Sequence, residues 1–447
     1  MQNKIIEELR KYNNIAILGF GKEGISTYNF IRRYDKNIHL TILDAKDVSL
    51  EDDNVLVKKY NSTLEELLDY DLIIKTPGIA FASFNQKDVE EKLKSKITSQ
   101  MELLLKFNRE NVIGITGTKG KSTTSSLLYD VLKDQLDKVI LVGNIGIPVF
   151  DKIEEFEGAT IVAEMSSHQL EFVDVSPHIG IILNLFVDHL DHTGSVEAYH
   201  KAKMNMFKYQ SQSDYAIFDN DNYYLSKQDF SNIKSKLLTV SVESDATIKL
   251  NNNEVFINNE LLLNKNDVIT KLQGEHNFKN IMFVLLVSKL FNLDLNRTLE
   301  SIKSFQPLEH RMEYFGNYKG VDFYEDAIAT IPEATINACK TIKNIDTLIF
   351  GGMDRNIDYK IFIDYLNNSD INHFIVMPET GYKLAEYLDK NKVIYSETLE
   401  DAVNQAFNVT EKGKVCILSP AASSYNNFKN FEEKGNKFKE LVINYKK

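Results

Sequence analysis

The sequence is poor in the features that mark several large classes of protein. It has two cysteines, Cys339 and Cys416, and no tryptophan among its 447 residues. Two distant cysteines offer neither a disulfide framework nor the spacing of a metal site, so we interpret both as small core residues. No apolar run approaches the roughly 18 residues that a membrane-spanning helix needs. The first ten residues carry acidic side chains and no long apolar run, so we expect no signal peptide.

An excess of positive charge is also missing. Lys and Arg number 52 against 64 Asp and Glu, which gives a formal net charge of −12. Nucleic acids and anionic membranes favour a basic surface, so we expect no nucleic-acid partner and no membrane insertion. The negative net charge is still compatible with small anionic substrates, because they need only a local cationic pocket. We therefore expect a cytoplasmic monomer that acts on small molecules.

Short β-branched runs alternate with longer amphipathic stretches, which is typical of βαβ units and parallel sheets. Helices are predicted at 125–133 and 276–290, and strands at 15–18, 39–43, 72–74, 112–115, 139–142, 160–163, 180–183, 347–350, 374–376 and 415–419. The stretch 237–263 alternates and contains Asn pairs, which predicts hairpins at a sheet edge. The chain is too long for one typical core. We predict an α/β fold with three domains, at 1–97, 98–307 and 308–447.

A phosphate-binding loop is the clearest motif. The strand at 112–115 runs into Thr116-Gly-Thr-Lys-Gly-Lys-Ser122, and a helix follows. Glycines let backbone N–H groups turn toward phosphate oxygens, and the helix N-terminus adds positive potential. Lys121 can contact the β- and γ-phosphates, while Ser122 can bind magnesium. The alternative is a plain Gly-rich turn. Ile115 stands where the standard loop has its first glycine, so this is a variant loop.

A second Gly-rich turn lies near the N-terminus. Gly19-Phe-Gly21-Lys-Glu-Gly24 follows a strand, and Asp44 ends the next one. This pattern fits the fingerprint of nicotinamide dinucleotide sites, so an NAD-dependent oxidoreductase is one alternative. The same turn can hold any pyrophosphate, including that of a UDP-sugar.

Further motifs follow the phosphate loop in a fixed order. They lie at 143–146, 164–171, 184–192, 276–280, 309–313, 324–326 and 418–435. Together with 116–122 they resemble the Mur ligases and their folylpolyglutamate synthase relatives over essentially the whole chain. The C-terminal motif favours a Mur ligase over a folylpolyglutamate synthase. The resemblance implies a Rossmann-like UDP-binding domain, a central P-loop ATPase-type domain and a C-terminal Rossmann-like domain.

The resemblance also implies a reaction. It is the ATP-dependent addition of D-glutamate to UDP-N-acetylmuramoyl-L-alanine through an acyl phosphate, in peptidoglycan precursor synthesis. The residues that it assigns to ATP are Gly117, Thr118, Lys119, Gly120, Lys121, Ser122, Thr123, Asn280, Arg311 and Asp326. A simple NTPase or phosphotransferase, or a non-catalytic UDP-sugar-binding protein, would be the alternatives.

Metal binding and catalysis are implied for a small set of residues. By resemblance, Ser122 and Glu164 hold the Mg²⁺ of the nucleotide. His189 holds a second ion together with Lys203, which carries a carbamate derived from CO₂. Lys121, His189 and Lys203 are then the catalytic residues. Considered without the resemblance, Lys203 could be a solvated helix lysine, with Lys201 as its competitor, and His189 could be a core histidine.

The two remaining substrates have their own implied residues. Those for the UDP substrate are Gly19, Gly21, Gly24, Asp44, Thr76 and Asn144. Those for glutamate are Thr330, Arg355, Ser424 and Phe431, although Phe431 could instead be a core residue. The family commonly has a lysine where this chain has Ile328, which removes a cation near the glutamate. Addition of L-glutamate to the same acceptor is therefore an alternative.

Overall fold

A computed structural model describes residues 1–60, 63–81, 87–143, 147–187, 193–272, 274–307, 309–355, 357–425 and 427–446. The chain divides into two compact units, one of residues 1–270 and 279–305, the other of residues 271–278 and 306–447. Three sheets of five, nine and six strands organise them. Within the described ranges, no helix is both long enough and apolar enough to cross a membrane.

The first sheet is parallel, with the strand order β3-β2-β1-β4-β5. Its strands are β1 (Ile15–Leu18), β2 (Leu40–Asp44), β3 (Val55–Lys59), β4 (Leu72–Lys75) and β5 (Ile97–Thr98). The associated helices are α1 (Gln2–Leu9), α2 (Lys22–Tyr34), α3 (Lys87–Leu93) and α4 (Gln100–Asn108). The chain changes direction across the sheet at β1, so a crevice is expected at the carboxyl end of β1 and β4.

The second sheet has the order β14-β13-β12-β11-β10-β9-β6-β8-β7. Its parallel part comprises β6 (Val112–Thr116), β7 (Val139–Gly143), β8 (Thr160–Glu164), β9 (Ile179–Ile182), β10 (Tyr215–Asp219), β11 (Lys236–Ser241) and β12 (Ile248–Asn251). The strands β13 (Glu254–Ile257) and β14 (Glu260–Asn264) add antiparallel hairpins at the edge. The Asn pairs have positive φ at the turns, which asparagine tolerates well. The predicted edge hairpins are thus confirmed for β12 to β14, whereas β11 in the same stretch is a parallel strand.

The helices that accompany this sheet are α5 (Lys121–Gln135), α6 (Ser167–Leu170), α7 (Val196–Lys208), α8 (Glu275–Leu290) and α9 (Leu295–Ser304). The boundary between the two units falls inside α8, after Phe278. A single apolar core joins the first two sheets and includes Ile17 and Phe30 from one side and Phe150 and Ile182 from the other.

The third sheet belongs to the second unit and has the order β15-β16-β20-β17-β18-β19. Its strands are β15 (Glu313–Tyr318), β16 (Val321–Glu325), β17 (Ile345–Phe350), β18 (His373–Val376), β19 (Val393–Tyr395) and β20 (Val415–Leu418). Its helices are α10 (Pro332–Thr341), α11 (Lys360–Asn367), α12 (Thr380–Ala385), α13 (Leu399–Val409) and α14 (Phe431–Ile443). Leu348 and Ile349 point to opposite faces and enter two separate cores, so both faces of the sheet are buried.

The α/β class and each predicted strand are confirmed, with ends that differ by at most two residues. The prediction missed β3, β5, β10, β15, β16 and β19. The helix predicted at 125–133 is longer, because it begins at Lys121 directly after the phosphate loop. Short 3-10 turns occur at Glu65–Asp69, Lys94–Lys96, Arg109–Asn111, Val149–Glu155, Leu225–Lys227 and Lys265–Asp267. The domain boundaries at 97 and 307 stay predictions.

Candidate active site

The phosphate loop joins the carboxyl end of β6 to the N-terminus of α5. Gly120 caps this helix with a φ of +83°, in the left-handed region that favours glycine. A Cβ atom at Gly120 would lie only 2.9 Å from Oδ1 of Asn280, so a side chain there would displace Asn280. Lys121 folds back over the loop and donates hydrogen bonds from Nζ to the carbonyl oxygens of Gly117 and Thr118, at 2.9 and 3.0 Å. The predicted nucleotide residues of the first unit therefore lie together.

Two side chains without a predicted role hold this loop in place. Asn184 accepts the backbone N–H of Lys119 at 2.9 Å and donates to the carbonyl of the same residue at 3.1 Å. The Tyr199 hydroxyl donates to Oγ1 of Thr118 at 3.1 Å. Asn184 lies in a recognised motif, and Tyr199 lies four residues before Lys203 on α7, so the helical spacing could have identified it.

A carboxylate and a lysine border the loop from two other elements. Glu164 ends β8 and is 1% exposed, and Ser125 donates a weak hydrogen bond of 3.4 Å to its Oε2. Lys203 is also 1% exposed, and its Nζ donates to the Gly117 carbonyl oxygen at 2.9 Å and to Oγ1 of Thr116 at 3.3 Å. Lys203 is thus no solvated helix lysine, whereas Lys201 is exposed.

This arrangement fits a magnesium nucleotide. A buried carboxylate and a hydroxyl next to a phosphate loop are the hard oxygen donors that Mg²⁺ prefers. Ser122 begins the helix with Lys121, and Glu164 lies at the end of the strand next to β6. The predicted metal ligand His189 lies outside the described residues.

The N-terminal Gly-rich turn forms a second polar site in the first unit. Asp44 accepts the backbone N–H of Phe20 at 2.6 Å and that of Lys46 at 2.8 Å. A Cβ atom at Gly19 would lie 2.2 Å from Oγ1 of Thr76, and one at Gly24 would lie 2.1 Å from the Gly19 carbonyl oxygen. The strand ends of β1, β2 and β4 therefore bring the predicted UDP residues together, with Gly21 in the open part of the turn. The predicted residue Asn144 lies outside the described residues.

Lys75 was missed by the sequence analysis and lies at the same edge. It is the last residue of β4, and its side chain is 3% exposed. Its Nζ lies 3.8 Å from Oε2 of Glu171 and above the rings of Phe81 and Phe172. Burial lowers the pKa of Lys75. Its position at the end of an apolar strand is the feature of the sequence that could have identified Lys75.

The remaining residues predicted to bind the nucleotide lie in the second unit. Asp326 is buried and accepts the Ser419 hydroxyl at 2.7 Å and the backbone N–H of Met312 at 3.1 Å. Burial raises the pKa of Asp326 to about 7, against the lowering effect of its hydrogen bonds and of Arg311. An acceptor of this kind suits a ribose hydroxyl.

The predicted glutamate residues also lie in the second unit. Nη2 of Arg355 donates to the Thr330 carbonyl oxygen at 3.3 Å. The Met353 N–H donates to the Ser423 carbonyl oxygen at 2.8 Å and joins the loops that carry Arg355 and Ser424. The Ser424 hydroxyl is buried and has no hydrogen-bond partner among the described residues. Phe431 begins α14 and meets the His310 ring edge-on at 6.0 Å.

Two segments of the chain match domains of known protein families. Residues 115–288 match the Mur ligase middle domain. Residues 310–422 match the glutamate ligase domain of the Mur ligases. The phosphate loop and Glu164 fall in the first match, and Asp326 and Arg355 fall in the second.

Curated relatives match over nearly the full length. The UDP-N-acetylmuramoylalanine–D-glutamate ligase of Clostridium tetani is 32% identical, covering 99% of this chain and 100% of the relative. The ligase of the same name from Clostridium kluyveri is 33% identical, covering 90% of this chain and 87% of the relative.

Solved structures show the same fold at lower sequence identity. MurF ligase from Thermotoga maritima in complex with ADP has a TM-score of 0.61 at 17% identity, covering 96% of this chain and 93% of that chain. UDP-N-acetylmuramate–alanine ligase MurC from Thermotoga maritima has a TM-score of 0.58 at 18% identity, covering 97% of this chain and 100% of that chain. Sequence, domain matches and fold agree, and the chain belongs to the Mur ligase family.

Proposed function

We propose that this protein is an ATP-dependent carboxylate–amine ligase that adds D-glutamate to UDP-N-acetylmuramoyl-L-alanine. The observation that carries the proposal is the buried set of Lys203 and Glu164 beside the phosphate loop. A protein that only bound a UDP-sugar would have no use for this set. The names of the full-length relatives support D-glutamate as the amino acid.

In the first step, a carboxylate oxygen of the acceptor attacks the γ-phosphorus of ATP. The bond from this phosphorus to the β-γ bridging oxygen breaks, which yields an acyl phosphate and ADP. Lys121 and the N–H groups at the start of α5 stabilise the charge on the phosphate oxygens. Bound magnesium would neutralise further charge on the transferring group, held by Ser122 and Glu164.

Lys203 would take part as a carbamate. The ammonium first loses one proton. The neutral amine then adds to the carbon of CO₂ and loses a second proton, so a cation becomes an anion with two oxygens. That change requires a site where the amine is held away from bulk water, and Lys203 is buried against Gly117 and Tyr199. His189 completes the proposed ligand set.

In the second step, the amine of glutamate attacks the acyl carbon. A tetrahedral intermediate forms, phosphate leaves, and the amine gives up a proton. Arg355 would pair with a carboxylate of the incoming amino acid, and the Ser424 hydroxyl would donate a hydrogen bond. Thr330 and Phe431 would border this pocket, while Asn280, Arg311 and Asp326 would contact ATP.

One assay tests the proposal and its alternatives. The protein is incubated with ATP, magnesium and UDP-N-acetylmuramoyl-L-alanine, with D- or L-glutamate supplied separately. We expect ADP, phosphate and the amide product with D-glutamate only. Product with L-glutamate alone would reverse the assigned stereochemistry, which Ile328 left open. Phosphate release without either cosubstrate would indicate an NTPase, and saturable NADH binding would favour the oxidoreductase alternative.

The proposed reaction consumes ATP and a UDP-linked precursor, so we place it in the cytoplasm. We also propose that the protein acts as a monomer, as expected in the sequence analysis. Light scattering after size-exclusion chromatography would test the second point.

A further inference from the structure

Lys434 is a buried lysine that the reaction described above does not use. It lies on α14, three residues after Phe431, and is 1% exposed. Its Nζ donates a hydrogen bond of 2.9 Å to the carbonyl oxygen of Gly351. That oxygen is its only hydrogen-bond acceptor among the described residues, and no described carboxylate lies within ion-pair distance of it.

Such a placement is unfavourable for a purely structural side chain. Burying an ammonium group without a carboxylate partner costs free energy, because one hydrogen bond replaces several with water. In keeping with this, burial lowers the pKa of Lys434 to about 7. An apolar side chain of similar length would fill the same space without that cost. A lysine at this position therefore suggests that its hydrogen bond to Gly351 has a role beyond filling space.

Gly351 begins the segment that leads to Arg355. Gly351 and Gly352 have φ values of +126° and +156°, and a Cβ atom on either would lie 2.2 Å from a backbone carbonyl oxygen. The N–H of Gly351 donates to the carbonyl oxygen of Pro420 at 2.9 Å. The backbone is thus fixed on one side by the loop after β20 and on the other by Lys434.

We propose that Lys434 is a positioning residue for the amino-acid site. By holding the Gly351 carbonyl, it fixes residues 351–355 and so the place of the Arg355 guanidinium. This matters because Ile328 offers no charge, so the pairing of the substrate carboxylate falls to Arg355. The identity of the amino acid as glutamate rests on the proposed function, whereas the positioning of residues 351–355 does not.

The test compares three substitutions in the full-length protein. K434M removes the donor but keeps the length and apolar volume of the side chain, and such replacements of buried charges generally fold. K434R keeps a donor. K437M is the matched control, because Lys437 lies on the same helix, pairs only with Glu440 among the described residues and has a half-exposed side chain.

Two measurements are made on each protein. Hydrogen exchange of peptides covering 351–355 reports the position of the segment without any substrate. For K434M we expect faster exchange there by about tenfold, on the scale of one lost buried hydrogen bond, with wild-type exchange in K437M. Steady-state kinetics should show a KM for glutamate raised by about tenfold, with kcat and the KM for ATP within about threefold of wild type. K434R should recover part of the glutamate affinity.

Unchanged exchange at 351–355 in K434M would overturn the proposal, whether or not the protein has ligase activity. Faster exchange combined with an unchanged KM for glutamate would also overturn it. A wild-type protein without ligase activity would instead refute the proposed function, and the exchange measurement would then decide the role of Lys434 alone.

Discussion

Lys203 and Gly117 are joined by a hydrogen bond of 2.9 Å from Nζ to the carbonyl oxygen, although they lie 86 residues apart in the chain. Gly117 belongs to the phosphate loop, and Lys203 belongs to the helix α7 that packs beside it. The Lys203 ammonium also lies 4.9 Å from the centre of the Tyr199 ring, and the Tyr199 hydroxyl holds Thr118. One turn of helix therefore supports the phosphate loop and carries the group proposed to be carbamylated.

The carbamate on Lys203 can be tested directly. After exchange into ¹³C-bicarbonate, we expect one carbamate carbonyl signal in the ¹³C NMR spectrum of the wild-type protein. K203M should lack this signal and lose at least about 100-fold in kcat, since a charged group at the phosphoryl-transfer site is removed. K201M is the control and should retain both properties, because Lys201 is exposed. An unchanged spectrum in K203M would exclude this lysine as the site.

Glu164 should govern the magnesium requirement. In E164Q an amide replaces the buried carboxylate, so one negative charge disappears from the proposed ligand set. We expect the magnesium concentration for half-maximal activity to rise by about tenfold or more. This is the size of effect expected when one charge interaction between a carboxylate and the ion is lost. E157Q, which changes an exposed carboxylate just before β8, should leave the magnesium dependence unchanged. The same dependence in E164Q and wild type would contradict the assignment.

Much of the fold could be predicted because strand and loop signals are local. The run at 112–115 and the glycines after it determine a strand, a turn and a helix within 20 or so residues of chain. Strand β3 was missed because its apolar run, Val55 to Val57, is only three residues long and two lysines follow it, and its partial exposure is typical of an edge strand. Strand β15 was missed for the same reason, since no residue in it is fully buried.

The site was only partly predictable for a different reason. Motifs identify residues that contact ligands, but they say little about residues that hold those contacts in place. Asn184 holds the Lys119 backbone and Tyr199 holds the Thr118 side chain, and such pairing depends on how distant strands and helices pack. Lys434 looked like an ordinary helix lysine in the sequence, because burial of its whole side chain is a property of the packed unit.

Asp44 should control affinity for the UDP substrate. Its carboxylate accepts the N–H groups of Phe20 and Lys46 and so orders the Gly-rich turn. D44N keeps the size but loses the charge, and hydrogen bonds to a charged acceptor are the stronger ones. We expect the KM for UDP-N-acetylmuramoyl-L-alanine to rise by about tenfold, with the KM for glutamate unchanged.

The control for this substitution is D47N, because Asp47 lies three residues further on with an almost fully exposed side chain. Its KM values should equal those of the wild type. A selective rise in the KM for ATP in D44N, with that for the UDP substrate unchanged, would show that the turn binds the other nucleotide.

The pH dependence of stability should reveal the buried Lys434. Its pKa is about 7 in the folded protein and near 10.5 when unfolded. Between these values the unfolded chain holds the proton and the folded chain does not, so the free energy of unfolding rises with pH. Below about pH 7 Lys434 is protonated in both the folded and the unfolded state, so the folded state bears the full free-energy cost of burying the ammonium. From about pH 7 to about pH 9, the wild type should gain about 2 kcal/mol relative to K434M.

Urea unfolding of both proteins at matched pH values measures this difference. Asp326, with a pKa of about 7, also titrates in this range, but it is present in both proteins, so its contribution cancels in the comparison. K437M should run parallel to the wild type, since the side chain that it removes is half exposed. Parallel curves for K434M and wild type would mean that Lys434 keeps an ordinary pKa in the fold. In that event the ammonium would have to be better solvated than its 1% exposure indicates, and its bond to Gly351 would be correspondingly weak.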